Sequence, residues 1–230
     1  MTDGPQFRDR GVYLPDADAL VVADTHVGMD AASDVEFPLG ERGDLHDRIG
    51  ALLDRFDPGE VVVAGDVLHA FDRVPDPVAD SLATIRRTVE RADSRLALVR
   101  GNHDTMLDSL AVDVVDAHRL DDGSVVVHGH EEPTPEADRY LIGHDHPTIR
   151  IEGVKRPCYL AGPDAYRGAD VLMLPAFNRL AAGTVVNAMR GRDFQSPLVD
   201  ATDPLRPTVR DEATDTTHRF PPLGEFRRLL

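Results

Sequence analysis

One cysteine cannot close an internal disulfide, and with Cys158 alone there is no thiolate cluster to hold a metal. Lysine is equally scarce, Lys155 standing against 24 arginines. Tryptophan is absent and aromatic residues make up only 5%. No apolar run approaches the ~20 residues that a bilayer-spanning helix needs. The opening MTDGPQFRDRGVYL sets charges where the apolar centre of a secretory signal would lie. Together these absences give the expectation of a soluble, cytoplasmic protein with no membrane partner.

What the chain has in excess is aspartate: 31 Asp against 10 Glu, for a net charge of −16. An Asp-rich, Lys-poor surface is what proteins of salt-loving organisms carry, because carboxylates hold water and counterions where salt competes for them. Such a surface argues against broad electrostatic wrapping of nucleic acid. It leaves room for a local phosphate site lined by arginine or metal. At 230 residues and 41% hydrophobic content the chain can bury one substantial core, and one domain is expected over 1–195. From Ser196 onward the sequence is rich in Pro, Asp and Thr, which predicts a loosely ordered tail over 196–230, pinned at its end by Phe220 and Phe226.

One pattern recurs along the chain. ALVVADTH (19–26), EVVVAGDVLH (60–69), LALVRGNHD (96–104), SVVVHGH (124–130) and YLIGHDH (140–146) each follow a short β-branched run with polar residues. Such runs read as buried strands with the polar groups in the loops leaving their carboxyl ends. Between them, Leu45, Ile49, Leu52, Leu53 and Phe56 share one helix face, as do Val78, Leu82, Ile85 and Val89, so an α/β architecture is expected, with its sites at strand ends. Past residue 147, CYLAG, DVLMLPAF and GTVVNAM predict strands joined by short turns and paired antiparallel.

Singly, DTH reads as a helix cap or turn, GDVLH as a Gly-Asp turn, GNHD as an Asn loop, and HGH and GHDH as solvated histidines. Five together, all at strand ends, supply carboxylate oxygen, amide oxygen and imidazole nitrogen. That mixture suits Mn, Fe, Zn or Co better than Ca, and there are more donors than one ion needs. Two ions about 3.5 Å apart can clamp a phosphoryl group and activate a water, so phosphate ester hydrolysis is the chemistry expected. His46, His118 and His218 lack this context, and Glu131 and Glu132 read as solvated surface.

The motifs DTH, GD, GNHD, HGH and GHDH resemble the five signatures of the calcineurin-like metallophosphoesterases, over roughly residues 19–147. Downstream, GHDHP, PCYL, LPAFN and GTVVN resemble the archaeal SbcD-related phosphoesterases, with similarity to the ligase-associated phosphoesterases. The resemblance implies a four-layer α/β/β/α sandwich with two mixed sheets. It implies one metal on Asp24, His26 and His146, a second on Asn102, His128 and His144, and Asp66 bridging them; the mixed oxygen and nitrogen donors make manganese the expected ion, with Fe, Zn and Co as alternatives. His103 would hold the phosphate or protonate the leaving oxygen, and Asp104 would orient the His103 ring. His69 and His130 would lie just behind the ligands, and Asp145 would point away. The resemblance implies a stand-alone phosphodiesterase acting on a phosphate ester, with nucleic-acid or nucleotide substrates open and a phosphomonoesterase or a nucleotide pyrophosphohydrolase as alternatives; a non-catalytic metal-binding scaffold on the same fold is the alternative of another class, against which the presence of every matched ligand together with His103 stands. Specificity is expected in the loop GMDAASDVEFPLGERG, where Arg42 is a candidate phosphate contact but reads better as a surface charge.

Overall fold

The computed structural model describes residues 4–30, 40–69 and 73–228. A hairpin of β1 (Gln6–Arg8) and β2 (Gly11–Leu14) leads into β3 (Ala19–Val22), each pairing antiparallel with the next. Then come α1 (Glu41–Phe56), β4 (Glu60–Ala64), α2 (Asp76–Arg91), β5 (Arg95–Val99) and β6 (Val114–Val115). The six strands lie side by side in sequence order, and β3 to β6 are parallel.

The rest of the chain builds a second sheet. It holds β7 (His118–Arg119), β8 (Val125–Val126), β9 (Arg139–Ile142), β12 (Tyr159–Tyr166), β13 (Ala169–Met173), β15 (Arg206–Asp211) and β16 (Thr216–Arg219), in the order β16-β15-β12-β13-β9-β8-β7. Between β9 and β12 the chain forms β10 (Pro147–Ile151) and β11 (Val154–Pro157), which join β14 (Thr184–Val185) in a separate three-stranded sheet. The helix α3 (Leu223–Phe226) ends the described chain.

The apolar runs are continuous because each strand is buried on both sides, and alternate residues sort between layers. Leu20, Val22, Val61 and Val63 face α1 and α2, packing on Leu45, Ile49, Leu52, Leu82, Ile85 and Val89. Ala19, Val21, Val62 and Ala64 face inward and meet Val126, Leu141, Leu172 and Leu174 of the second sheet. Val125, Tyr140, Ile142, Val171 and Met173 face outward from that sheet. Each Val, Leu, Ile or Met among them, fully buried, contributes about 1.5–3 kcal/mol. The layers are therefore helix, sheet, sheet and an outer cover, a mixed α/β fold with two large mixed sheets.

That outer cover corrects the expectation of a loose tail over 196–230. Leu198, Val199, Leu205, Val209, Leu223 and Phe226 are buried against the second sheet. The segment RPTVRD pairs with β12 as strand β15, and TTHR extends the sheet as β16. Its Thr and Pro content hides two short strands, β15 resting on the distant β12 and β16 folding back on β15. The pairing past 147 also differs in part from expectation. The two strands β12 and β13 are antiparallel, whereas β13 runs parallel to β9 and β14 runs parallel to β10. No helix among the described residues is long and apolar enough to cross a membrane.

Candidate metal centre

The carboxyl ends of β3, β4, β5, β8 and β9 open toward one place where the two sheets meet. The loops after β3 and β4 are zipped together: the backbone N–H of Asp24 donates to Gly65 O (3.1 Å), His26 to Asp66 O (2.8 Å) and Val27 to Val67 O (2.8 Å). Asp24, His26, Asp66, His144 and His146 all have left-handed backbone, with φ of 55°, 41°, 46°, 72° and 46°. Non-glycine residues avoid that region, and clusters of such strain mark functional sites. The glycines beside them are there for contact. A Cβ on Gly65 would lie 2.3 Å from the His128 ring, and one on Gly101 would lie 2.2 Å from Asp66.

Two groups of donors result, joined by one carboxylate. In the first, Asp24, His26, Asp66 and His146 present ligand atoms all within 4.8 Å of one another. His26 Nε2 lies 3.3 Å from His146 Nε2, and His146 Nε2 lies 3.3 Å from Asp24 Oδ1. In the second, His128 Nε2 lies 3.0 Å from Asn102 Oδ1 and 3.2 Å from His144 Nδ1. Asp66 stands between: Oδ2 is 3.8 Å from His26 Nε2, and Oδ1 is 3.4 Å from His128 Nε2. His128 Nδ1–H donates to Ala64 O at 3.2 Å, which leaves the Nε2 lone pair directed at the site.

The electrostatics suit a cation. Burial pulls His26 and His144 down to about 4, so both rings are neutral near pH 7 with lone pairs to give. Burial, and then the Asp24 charge, push the Asp66 carboxyl up to about 7. Burial raises the Asp24 carboxyl too, but the His146, His128 and His26 rings outweigh it and hold it below its ordinary value. Ring nitrogens facing each other at 3.2–3.3 Å and two buried acids form a donor set that a divalent ion satisfies.

His103 follows Asn102 into the cleft. Its backbone N–H donates to Asp66 Oδ1 (3.0 Å), its Nε2 is 3.9 Å from Asp66 Oδ2, and its side chain is 39% exposed. Asp104 does not hold the His103 ring, contrary to expectation. Its carboxylate accepts from the backbone N–H groups of Gly101 (2.8 Å), Leu68 (2.9 Å) and Val67 (3.1 Å), so it ties the β5 loop to the β4 loop. His69 lies edge-on to His26 at 6.0 Å between ring centroids, and parallel to His103 at 6.4 Å. His130 lies 5.2 Å from the His128 ring, and its buried Nδ1 has no hydrogen-bond partner among the described residues.

Asp145 turns away from the site and accepts from Gln195 and Ser196 N–H at 2.9 and 3.1 Å, anchoring the outer cover. Arg42 sits on α1 beside Thr84 of α2, at 3.5 Å, away from the site. The loop expected to set specificity runs through 31–39, outside the described residues. His46 pairs with Thr88 and His118 with Glu60, and His218 is exposed on β16.

Two residues that sequence reasoning gave no role brace the first donor group. The Asn178 side chain donates to Thr25 O (3.0 Å), His26 O (3.3 Å) and Glu41 Oε1 (2.6 Å), while its backbone N–H donates to Asp24 O (3.2 Å). Glu41 also accepts from the Met29 and Asp30 N–H groups, and burial pushes its carboxyl up to about 7. Asn178 lies in the LPAFN segment, whose likeness to the family was the signal. Glu41 opens a helix and carried none.

Mixed strands, loops converging at their carboxyl ends and a buried set of carboxylate, amide and imidazole donors define a metal-dependent α/β hydrolase. The model of the calcineurin-like phosphoesterase family matches residues 18–173. The chain belongs to that family, and it is a hydrolase acting on phosphoester bonds. Among solved structures it is similar to the Pseudomonas putida nuclease MPE, at 26% identity over 87% of this chain and 88% of that one, with a TM-score of 0.60. It is also similar to YfcE, a phosphoesterase from E. coli, at 12% identity over 87% and 97%, with a TM-score of 0.45. No curated protein matches the chain.

Proposed function

We propose that this protein is a phosphodiesterase that works with two divalent metal ions, manganese being the preferred one. The observation that carries the reading is Asp66, whose two carboxylate oxygens face different imidazoles, His26 on one side and His128 on the other. Asp24, His26, Asp66 and His146 would hold one ion, and Asp66, Asn102, His128 and His144 the other. Bound there, the ions would stabilise charge on the phosphoryl oxygens and activate the attacking water.

The chain's own residues do the rest. His103 reaches the cleft from the Asn102 loop and is accessible there, so its imidazole can hold a proton beside the leaving oxygen and deliver it as the ester bond breaks. Its backbone N–H fixes Asp66 Oδ1, which couples the acid to the carboxylate between the donor groups. Asp104 and Asn178 keep the loops in register. Similarity to a Pseudomonas putida nuclease supports a diester, and so does the accessibility of His103.

Rates on bis-para-nitrophenyl phosphate and para-nitrophenyl phosphate, measured side by side with Mn²⁺ and with Mg²⁺, test the reading. Faster turnover of the diester, with Mn²⁺ superior, is expected. A clear preference for the monoester would replace the reading with a phosphomonoesterase.

A further inference from the structure

A cavity of ≈ 260 Å³ opens beside the metal centre, sharing His146 with it. Its other walls come from the small three-stranded sheet and the 175–183 segment, with Arg10, Lys155 and Arg179 as its charged members. In a chain with 41 acidic residues against 25 basic ones, this wall holds three cations and no carboxylate among the described residues. Other cavities mix both signs: one carries Arg86 and Arg95 with Glu90 and Asp113, another Arg119 and Arg167 with Glu136 and Asp138.

The three cations are not equally compensated. Arg179 pairs with Asp44 at 2.7 Å and Asp9 at 3.4 Å. Lys155, the chain's single lysine, gives its ammonium to the carbonyls of Ala182 and Gly183 and forms no ion pair among the described residues. Arg10 donates through Nη1 to Ala176 O (3.0 Å) and Asn178 O (2.9 Å) and forms no ion pair among the described residues; the Asp44 charge favours it from farther off, and the adjoining cavity that it shares with Arg179 carries Asp9 and Glu212. Burial, and then the Arg48 and Arg179 charges, lower its guanidinium to about 10. An anion in the cavity would relieve that crowding.

The backbone at Arg10 points the same way. Asp9 and Arg10 form the turn between β1 and β2 with φ of 44° and 67°. The second of two such positions is the one glycine favours in a two-residue hairpin loop. An arginine there holds a backbone region that side chains avoid, and its guanidinium is fixed across the cavity wall by the Ala176 and Asn178 carbonyls.

We propose that the cavity walled by Arg10, Lys155 and Arg179 is a subsite for a second phosphate of the substrate, next along the strand from the phosphate at the metal centre. This rests on the phosphodiesterase reading and extends it. The substrate class it selects is a chain of phosphodiesters, and a small diester with one phosphate lacks the group the cavity takes. The acidic surface elsewhere repels such a strand, so binding is confined to the metal centre and this wall.

Thymidine oligomers separate the phosphate from the base. TpT carries one phosphate, TpTpT carries a second diester, and pTpT carries a second phosphate as a terminal monoester. The wild type is expected to hydrolyse TpTpT with kcat/KM about tenfold or more above TpT, the usual worth of a charge-assisted hydrogen bond. A high value for pTpT without one for TpTpT would overturn the strand reading in favour of an end-recognition site. Arg10→Gly removes the guanidinium and relieves the turn, and Arg179→Gln alters an exposed side chain. Both should collapse the TpTpT-to-TpT ratio toward one, and the salt slope of log KM on TpTpT should fall by about 0.7 for each phosphate that a variant no longer neutralises.

An unchanged ratio in both variants overturns the subsite and leaves the phosphodiesterase reading standing. If the wild type hydrolyses none of the three, the phosphodiesterase reading fails instead. Fluorescence anisotropy with a labelled dodecathymidylate phosphorothioate and the metal-loaded protein then decides the cavity. Weaker binding by Arg10→Gly supports the subsite, and equal binding overturns it.

Discussion

Asp66→Asn should make the metal-free protein more stable and the metal-loaded protein less so. In the metal-free chain the Asp66 carboxyl is raised from 3.8 to about 7, first by burial and then by the Asp24 charge. A raised carboxyl contributes its stability in full below its unfolded value and loses it as pH climbs through the folded one. Each pH unit between the two is worth 1.36 kcal/mol, so ionised Asp66 costs the metal-free protein about 4 kcal/mol by pH 8. Asn has no proton to lose, and its Oδ1 can still accept from His103 N–H. The stability difference, variant minus wild type, should therefore be near zero at pH 4 and rise to about 4 kcal/mol at pH 8. His26 and His144, lowered to about 4 by burial, act with the opposite sign, losing stability as pH falls below about 6.5. They are present in both proteins and cancel in the difference. Urea unfolding with a chelator, at constant salt across this range, gives the curve. Adding Mn²⁺ should reverse the order, because the wild type gains binding energy that the variant has forfeited. A difference that stays flat with pH, or a variant less stable at every pH without metal, would refute the argument.

Two further substitutions divide the site by role. His103→Ala should keep its metal content and its unfolding midpoint while kcat on bis-para-nitrophenyl phosphate falls about 10²-fold or more, read by metal analysis and initial rates on one preparation. Asn178→Ala removes four side-chain hydrogen bonds, to the Thr25 and His26 carbonyls, to Glu41 and from Leu180 N–H. It should weaken metal affinity about tenfold to a hundredfold in a Mn²⁺ titration followed by calorimetry, with kcat at saturating metal changing far less.

The convergence of the polar motifs was legible because each follows an apolar run, and a strand buried on both faces can place polar residues only where it ends. The helices α1 and α2 were legible for the same reason, their apolar residues recurring on one face. What escaped depends on distant partners. RPTVRD carries no pattern that distinguishes a strand from a solvated tail until β12 lies beside it, and TTHR becomes a strand only by folding back on RPTVRD. Asp104 sits next to His103 in sequence, yet its carboxylate turns back to Val67 and Leu68. Adjacency in a loop gives position and leaves direction open. Asn178 and Glu41 meet under the metal loop from 137 residues apart, a pairing that no local pattern announces.

The central claim is that Asp66 joins two ion sites in one reacting centre, and counting ions against activity tests it most directly. Protein stripped of metal and titrated with Mn²⁺ should bind two ions per chain, by mass spectrometric metal analysis after desalting, with diesterase activity rising to its plateau only as the second equivalent is taken up. Full activity at one ion per chain would contradict the account.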